Sequence, residues 1–159
     1  MALQILINLA LAFLWMFIGS NFTVPAFTTG YLLGLLSVYI LRGFLPGSFY
    51  LKRVYAIIRL TFIFIIELIK SNIEVVKIVL RPKIDVKPAF FAYPCDLKDE
   101  WAVSLLSALI TLTPGTLVVA ISDDRSILYI HALDIEDAES EIKSIKESFE
   151  HSIEEVRKA

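Results

Sequence analysis

Charge is what the first 41 residues of this chain lack: no side chain from Met1 to Leu41 carries one. From Asp134 to Ala159, by contrast, almost every second residue is charged. Cysteine is nearly absent. Cys95 stands alone among 159 residues, which excludes an intrachain disulfide and any thiolate metal cluster, and fits a reducing compartment for the polar half. There is no internal repeat, no low-complexity segment, no Gly-rich phosphate loop and no nucleophile–base pair. What is abundant is apolar surface. The chain is 57% hydrophobic, with a mean hydropathy of +0.69, whereas soluble domains average about 45–50% apolar residues. One chain thus holds a lipid-compatible part and a water-compatible part.

Met1–Ile18 and Val24–Leu41 are uncharged apolar stretches joined by "GSNFT". A spanning helix needs roughly 20 apolar residues, with a range of about 17–25. The pair is expected to form a transmembrane hairpin over residues 1–41, with Pro25 in the first turn of its second helix. A cleaved signal peptide fits poorly, because no Lys or Arg precedes the apolar run and no small-residue cleavage site follows Ile18. Gly30, Gly34 and Ser37 recur on one face, which permits close helix approach, either within the hairpin or to a partner. After Leu41 come Arg42, Lys52, Arg53 and Arg59, so the positive-inside rule places both hairpin ends in the cytoplasm.

Residues 42–84 read as a basic loop and a long amphipathic helix over 54–81. Arg59, Glu67, Lys70, Glu74, Lys77 and Arg81 fall within an arc of roughly 80°. Glu67–Lys70, Lys70–Glu74 and Glu74–Lys77 are spaced for ion pairs. Crossing the bilayer would put Glu67 and Lys70 near hydrocarbon at about 2.5–3.5 kcal/mol each. The helix is therefore expected to lie on the inner membrane surface with its charged stripe toward water. The alternative is a third span whose stripe is buried against partner proteins.

"RPKIDVKP" is a proline-bracketed linker into a domain spanning 85–159. "AFFAYP" predicts a strand, Asp96 or Asp99 a cap, and Glu100–Leu112 a helix. Thr113-Pro114-Gly115-Thr116 has Pro and Gly where a type II turn requires them. "LVVAIS", a "DDRS" turn and "ILYIHALD" follow as a strand pair, and Asp134 is the expected cap of a last helix. Its apolar stripe is Ala138, Ile142, Ile145, Phe149, Ile153 and Val156. The fold class is thus a membrane α-helical hairpin, an amphipathic surface helix and a small α+β domain of β-α-β-β-α order, facing the cytoplasm.

"ITLTPGT" (Ile110–Thr116) and "IHALD" (Ile130–Asp134) resemble the E subunit of Mrp-type multisubunit cation/proton antiporters. The resemblance covers essentially the whole chain. Where many relatives are expected to carry a polar residue just ahead of the motif, this chain has Ala108 and Leu109. The resemblance implies a non-catalytic accessory subunit of a Na+/H+ antiporter in the plasma membrane, needed for assembly or full activity. Its partners would be other membrane subunits and the bilayer, with Na+ and H+ met only through the complex, and with no cofactor and no nucleic acid.

The residues themselves point the same way. Ion transfer through lipid needs ionisable or oxygen-rich groups inside the span, and the hairpin offers only Gln4, Asn8 and scattered hydroxyls. If the chain touched an ion path, Glu67 and Lys70 would be the candidates. His131, on an apolar strand, reads as a packed or hydrogen-bonded histidine; with His151 and Cys95 it has no metal-ligand spacing. Two other classes stay open: a stand-alone membrane-anchored ligand-binding or sensor module, and a small membrane enzyme. The second would need an acid/base or metal constellation that the sequence does not display.

Overall fold

The computed structural model describes residues 1–83, 86–135 and 137–159. Part of the expected linker, and the boundary expected at 84/85, lie outside the described residues. The chain divides into two compact units, Met1–Tyr55 and Ala56–Lys158.

In the first unit, α1 (Ala2–Ile18) and α2 (Val24–Ile40) pack through a seam in which α1 buries Gln4, Asn8, Ala12 and Met16, one residue every turn. α2 answers with Gly30, Gly34 and Val38. Early α1 residues meet late α2 residues, as in antiparallel helices. A Cβ at Gly30 would lie 2.7 Å from the Trp15 Cβ and 2.9 Å from the Ala12 carbonyl oxygen; at Gly34 it would lie 2.2 Å from Asn8 Oδ1. The small residues are therefore what lets α2 close on α1. Val24–Gly43 is long and apolar enough to cross a membrane, while Ala2–Ile18 is a shorter apolar helix. After a short 3-10 turn, Leu41–Gly43, the chain enters α3 (Tyr50–Val79), which starts four residues ahead of the expected bound.

The second unit contains a three-stranded antiparallel sheet, β1 (Ala89–Pro94), β2 (Thr116–Ile121) and β3 (Ile127–Ala132), in the order β1-β3-β2. β1 and β2 therefore run parallel with β3 between them, and α4 (Glu100–Leu112) makes the crossover. The core is built from Phe91, Tyr93, Leu128 and Ile130 of the strands, Val103, Leu106 and Ile110 of α4, and Phe149, Ile153 and Val156 of the C-terminal helix.

That last helix differs from expectation twice. Its cap is Asp137, whose carboxylate accepts from the Glu139 and Ser140 amides, rather than Asp134. Asp134 instead accepts from the Lys87 amide at 3.0 Å and ties down the incoming chain. The helix is also not uniform: α5 (Ala138–Ile145) and α6 (His151–Lys158) are joined by a π turn, Lys146–Glu150. The wide turn holds Phe149 and Glu150, both buried.

Candidate functional site

The longest polar run of α3 borders a cleft, with Lys70 and Glu74 still exposed and Glu67 half-buried. Glu67, Lys70, Ser71 and Glu74 line a cleft of about 280 Å³ together with Thr113–Thr116, Asp134, Glu141, Ser144 and Ser148. Its apolar floor is Val75, Ile78, Ile110, Ile145 and Phe149. Within this unit α3 also packs Phe64 against Phe149 at 6.5 Å between ring centroids, and Arg59 pairs with Glu155. Ala56 and Leu60 are buried on this side. Ile58, Phe62, Ile69, Ile73 and Val76 are exposed on the opposite side, which carries no charged residue.

Electrostatics in the cleft is lopsided. Of the three expected α3 pairs, Glu67–Lys70 forms at 2.7 Å, and among the described residues the other two do not. Lys70 commits its ammonium to Glu67, which leaves Glu74 without it. Glu141 faces both carboxylates from α5. Burial, then Glu74, then Glu67 push its carboxyl above the ordinary glutamate range. No group of three or more His, Cys, Asp or Glu side chains suited to a metal ion occurs among the described residues.

The Thr-Pro-Gly-Thr segment ends one element and starts the next. Gly115 sits at φ +96°, the left-handed value that the third position of a type II turn demands. The Thr116 amide donates to the Thr113 carbonyl at 3.3 Å. Thr113 Oγ1 donates to the Leu109 carbonyl and Thr116 Oγ1 to the Ile110 carbonyl, both at 2.7 Å. Carbonyls otherwise orphaned at the α4 C-terminus are thereby satisfied. Both hydroxyls are used inside the fold. His131 lies half-buried against Phe90, with ring centroids 4.6 Å apart and, among the described residues, no partner for Nδ1.

Sequence reasoning missed three polar centres. Glu141, Ser144 and Ser148 recur at steps of three and four on one face of the last helix, a face read as solvated. Glu150 is only 6% exposed; it accepts from the Tyr93 hydroxyl and from the Asp96 amide at 2.7 Å. Burial and that bond drive the Tyr93 phenol well above its ordinary range. In the first unit Gln4 and Asn8 are fully buried. Gln4 donates to the Pro46 and Ser48 carbonyls and accepts from the Tyr50 amide, while Asn8 donates to the Tyr50 hydroxyl at 2.7 Å. Two polar residues one turn apart in an uncharged helix were the available signal.

The family model described as a Na+/H+ ion antiporter subunit matches residues 8–156. This chain belongs to that family. It is 54% identical over 156 residues to the E1 subunit of the Na+/H+ antiporter of Staphylococcus saprophyticus, covering 98% of each chain. It is equally similar to the E subunit of the Na+/H+ antiporter of Bacillus subtilis, covering 98% of this chain and 99% of the relative. Among solved structures, a chain of the membrane-bound sulfane sulfur reductase, an archaeal respiratory membrane complex, shares the fold. It aligns with 96% of this chain and 98% of its own length at a TM-score of 0.57 and 22% identity. The family is a transporter component, and the chain is accordingly a membrane protein with a mixed helix-and-sheet fold.

Proposed function

We propose that this antiporter-family chain is a non-catalytic accessory subunit that assembles with larger membrane subunits and leaves ion transfer to them. The observation that carries the reading is the uncharged hairpin of the first unit, Met1–Leu41. Its two deepest polar side chains, Gln4 and Asn8, commit their amide hydrogens and the Gln4 oxygen to the chain's own α2–α3 turn. No carboxylate, histidine, lysine or arginine side chain stands in the hairpin to carry Na+ or H+. Gly30 and Gly34 face α1, so partner helices would meet the exposed Leu32, Leu36 and Ile40 of α2, beside Ser37. The charged cleft of Glu67, Lys70 and Glu74 would offer polar contacts. A mild-detergent pull-down of the tagged native chain tests this. Co-purification with several large polytopic proteins at fixed stoichiometry is expected; recovery as a lone monomer would overturn it.

In this reading residues 1–41 form a two-span hairpin, α3 rests its uncharged face on the inner leaflet, and the α+β domain is cytoplasmic. Cys95 is a poor reporter of sidedness, because it is buried and burial raises its thiol pKa. Lys143, three-quarters exposed, is the better position. A Lys143→Cys chain is expected to resist an impermeant maleimide in intact cells and to react once the cells are opened.

A further inference from the structure

The α2–α3 turn and the first turn of α3 carry three cations that no acidic side chain pairs among the described residues. No acidic side chain precedes Glu67 in the chain, and Arg42, Lys52 and Arg53 form no ion pair among the described residues. Arg59, the next basic residue, is paired with Glu155. Arg42 stands on an aromatic platform. Arg42 lies 4.4 Å above the Tyr39 ring, Tyr39 meets Phe49 edge-on at 5.4 Å, and Phe49 meets Tyr50 at the same distance. The Lys52 amide donates to the Phe49 carbonyl, and Arg53 follows in the first turn of α3.

Gln4 fixes this platform from below through the Pro46 and Ser48 carbonyls and the Tyr50 amide. The platform directly continues the span candidate Val24–Gly43, and Phe44, 89% exposed, projects beside it. Aromatic rings with adjacent cations at the end of an apolar helix match the headgroup layer of a bilayer.

We propose that this turn is a docking surface for anionic phospholipid, with Arg42, Lys52 and Arg53 holding the headgroup phosphate and Tyr39, Phe44 and Phe49 seated among the glycerol backbones. Charge complementarity and continuity with the apolar helix favour lipid as the occupant. The proposal rests on the membrane reading above.

The test reconstitutes the full chain into vesicles of phosphatidylcholine alone, or mixed with phosphatidylglycerol, and measures spin-labelled lipid exchange at the protein. Phosphatidylglycerol is expected to be preferred, and added salt to weaken the preference. Each cation near an anionic leaflet is worth about fivefold, so Arg42→Gln/Lys52→Gln/Arg53→Gln should lower the preference by on the order of tenfold or more. The charge-preserving Arg42→Lys/Arg53→Lys chain should keep it. Insertion into both vesicles without preference, or preference surviving the triple change, overturns the docking surface alone. Failure to enter either vesicle overturns the membrane reading and this proposal with it. If only the triple variant fails to insert, the wild-type salt series decides: a salt-insensitive preference overturns the proposal.

Discussion

The two units place their polar groups in opposite ways. Met1–Tyr55 has few of them and turns its deepest inward: Gln4 and Asn8 are fully buried, while Leu6, Phe17 and Ile40 are among its most exposed side chains. Ala56–Lys158 is rich in charge and keeps nearly all of it outside. Glu150 is its single buried charged residue among those described. Hydrocarbon surroundings reward satisfying polar groups internally more than burying apolar surface, and water rewards the reverse. On the proposed membrane reading, the two units suit different solvents.

The largest effect expected from breaking this contrast is at Gly34. Leu at this position would drive a side chain into Asn8, whose Oδ1 is 2.2 Å from the first added carbon. Overpacking of this kind costs about 1–3 kcal/mol or more, so Gly34→Leu should abolish the packed hairpin in detergent, read as lost thermal transition and increased proteolysis. A Gly34→Leu chain with unchanged melting would break the account of the seam. In Ala56–Lys158, Glu150→Ala leaves the Tyr93 hydroxyl and Asp96 amide unpaired. A loss of about 2 kcal/mol is expected from bonds to a charged group, measured by denaturant unfolding. Asp137→Ala removes the α5 cap at about 1 kcal/mol.

The smallest effect sharpens the comparison through pH. Glu141 has its folded pKa raised, so the native state binds more protons than the unfolded chain in that window. Its carboxyl costs stability as pH rises through the raised value. Glu141→Gln should therefore raise the melting temperature modestly at neutral pH, with the difference vanishing in acid. Asp124 and Glu154, both held near a pKa of about 2 by hydroxyl and arginine donors respectively, carry the opposite sign. Their stability is present above the ordinary carboxylate range and is lost as pH falls toward 2. A melting series from pH 2 to 8 on the wild-type and Glu141→Gln chains separates the contributions.

Local signals made much of this legible. The β-α-β-β-α order could be read because turn chemistry is local: Pro114 and Gly115 dictate a type II turn wherever they stand, and Asp124 closes its hairpin with Ser122 and Ser126. The cap at 137 was misplaced by three residues because Asp134 and Asp137 are equally good caps until a third party claims one. Lys87, 47 residues away, claims Asp134. The cleft was illegible for a related reason. Helical periodicity shows that Glu67, Lys70 and Glu74 share a face, and that Glu141, Ser144 and Ser148 share another, but not that the faces meet.

Each segment's character is written locally in the chain: an uncharged hairpin, an amphipathic helix, and a small antiparallel sheet with its covering helices. Those properties follow from side-chain period, turn residues and the distribution of charge along the chain. The places of the polar exceptions emerge only when the elements pack together. Gln4 and Asn8 bind the turn that begins α3, Glu150 enters the core through a π turn, and half of α3's charged stripe lines a cleft. Each of these depends on a partner more than 40 residues away in the chain. The strength of a hydrogen bond or a like-charge contact is set by that partner's position, which no local pattern contains.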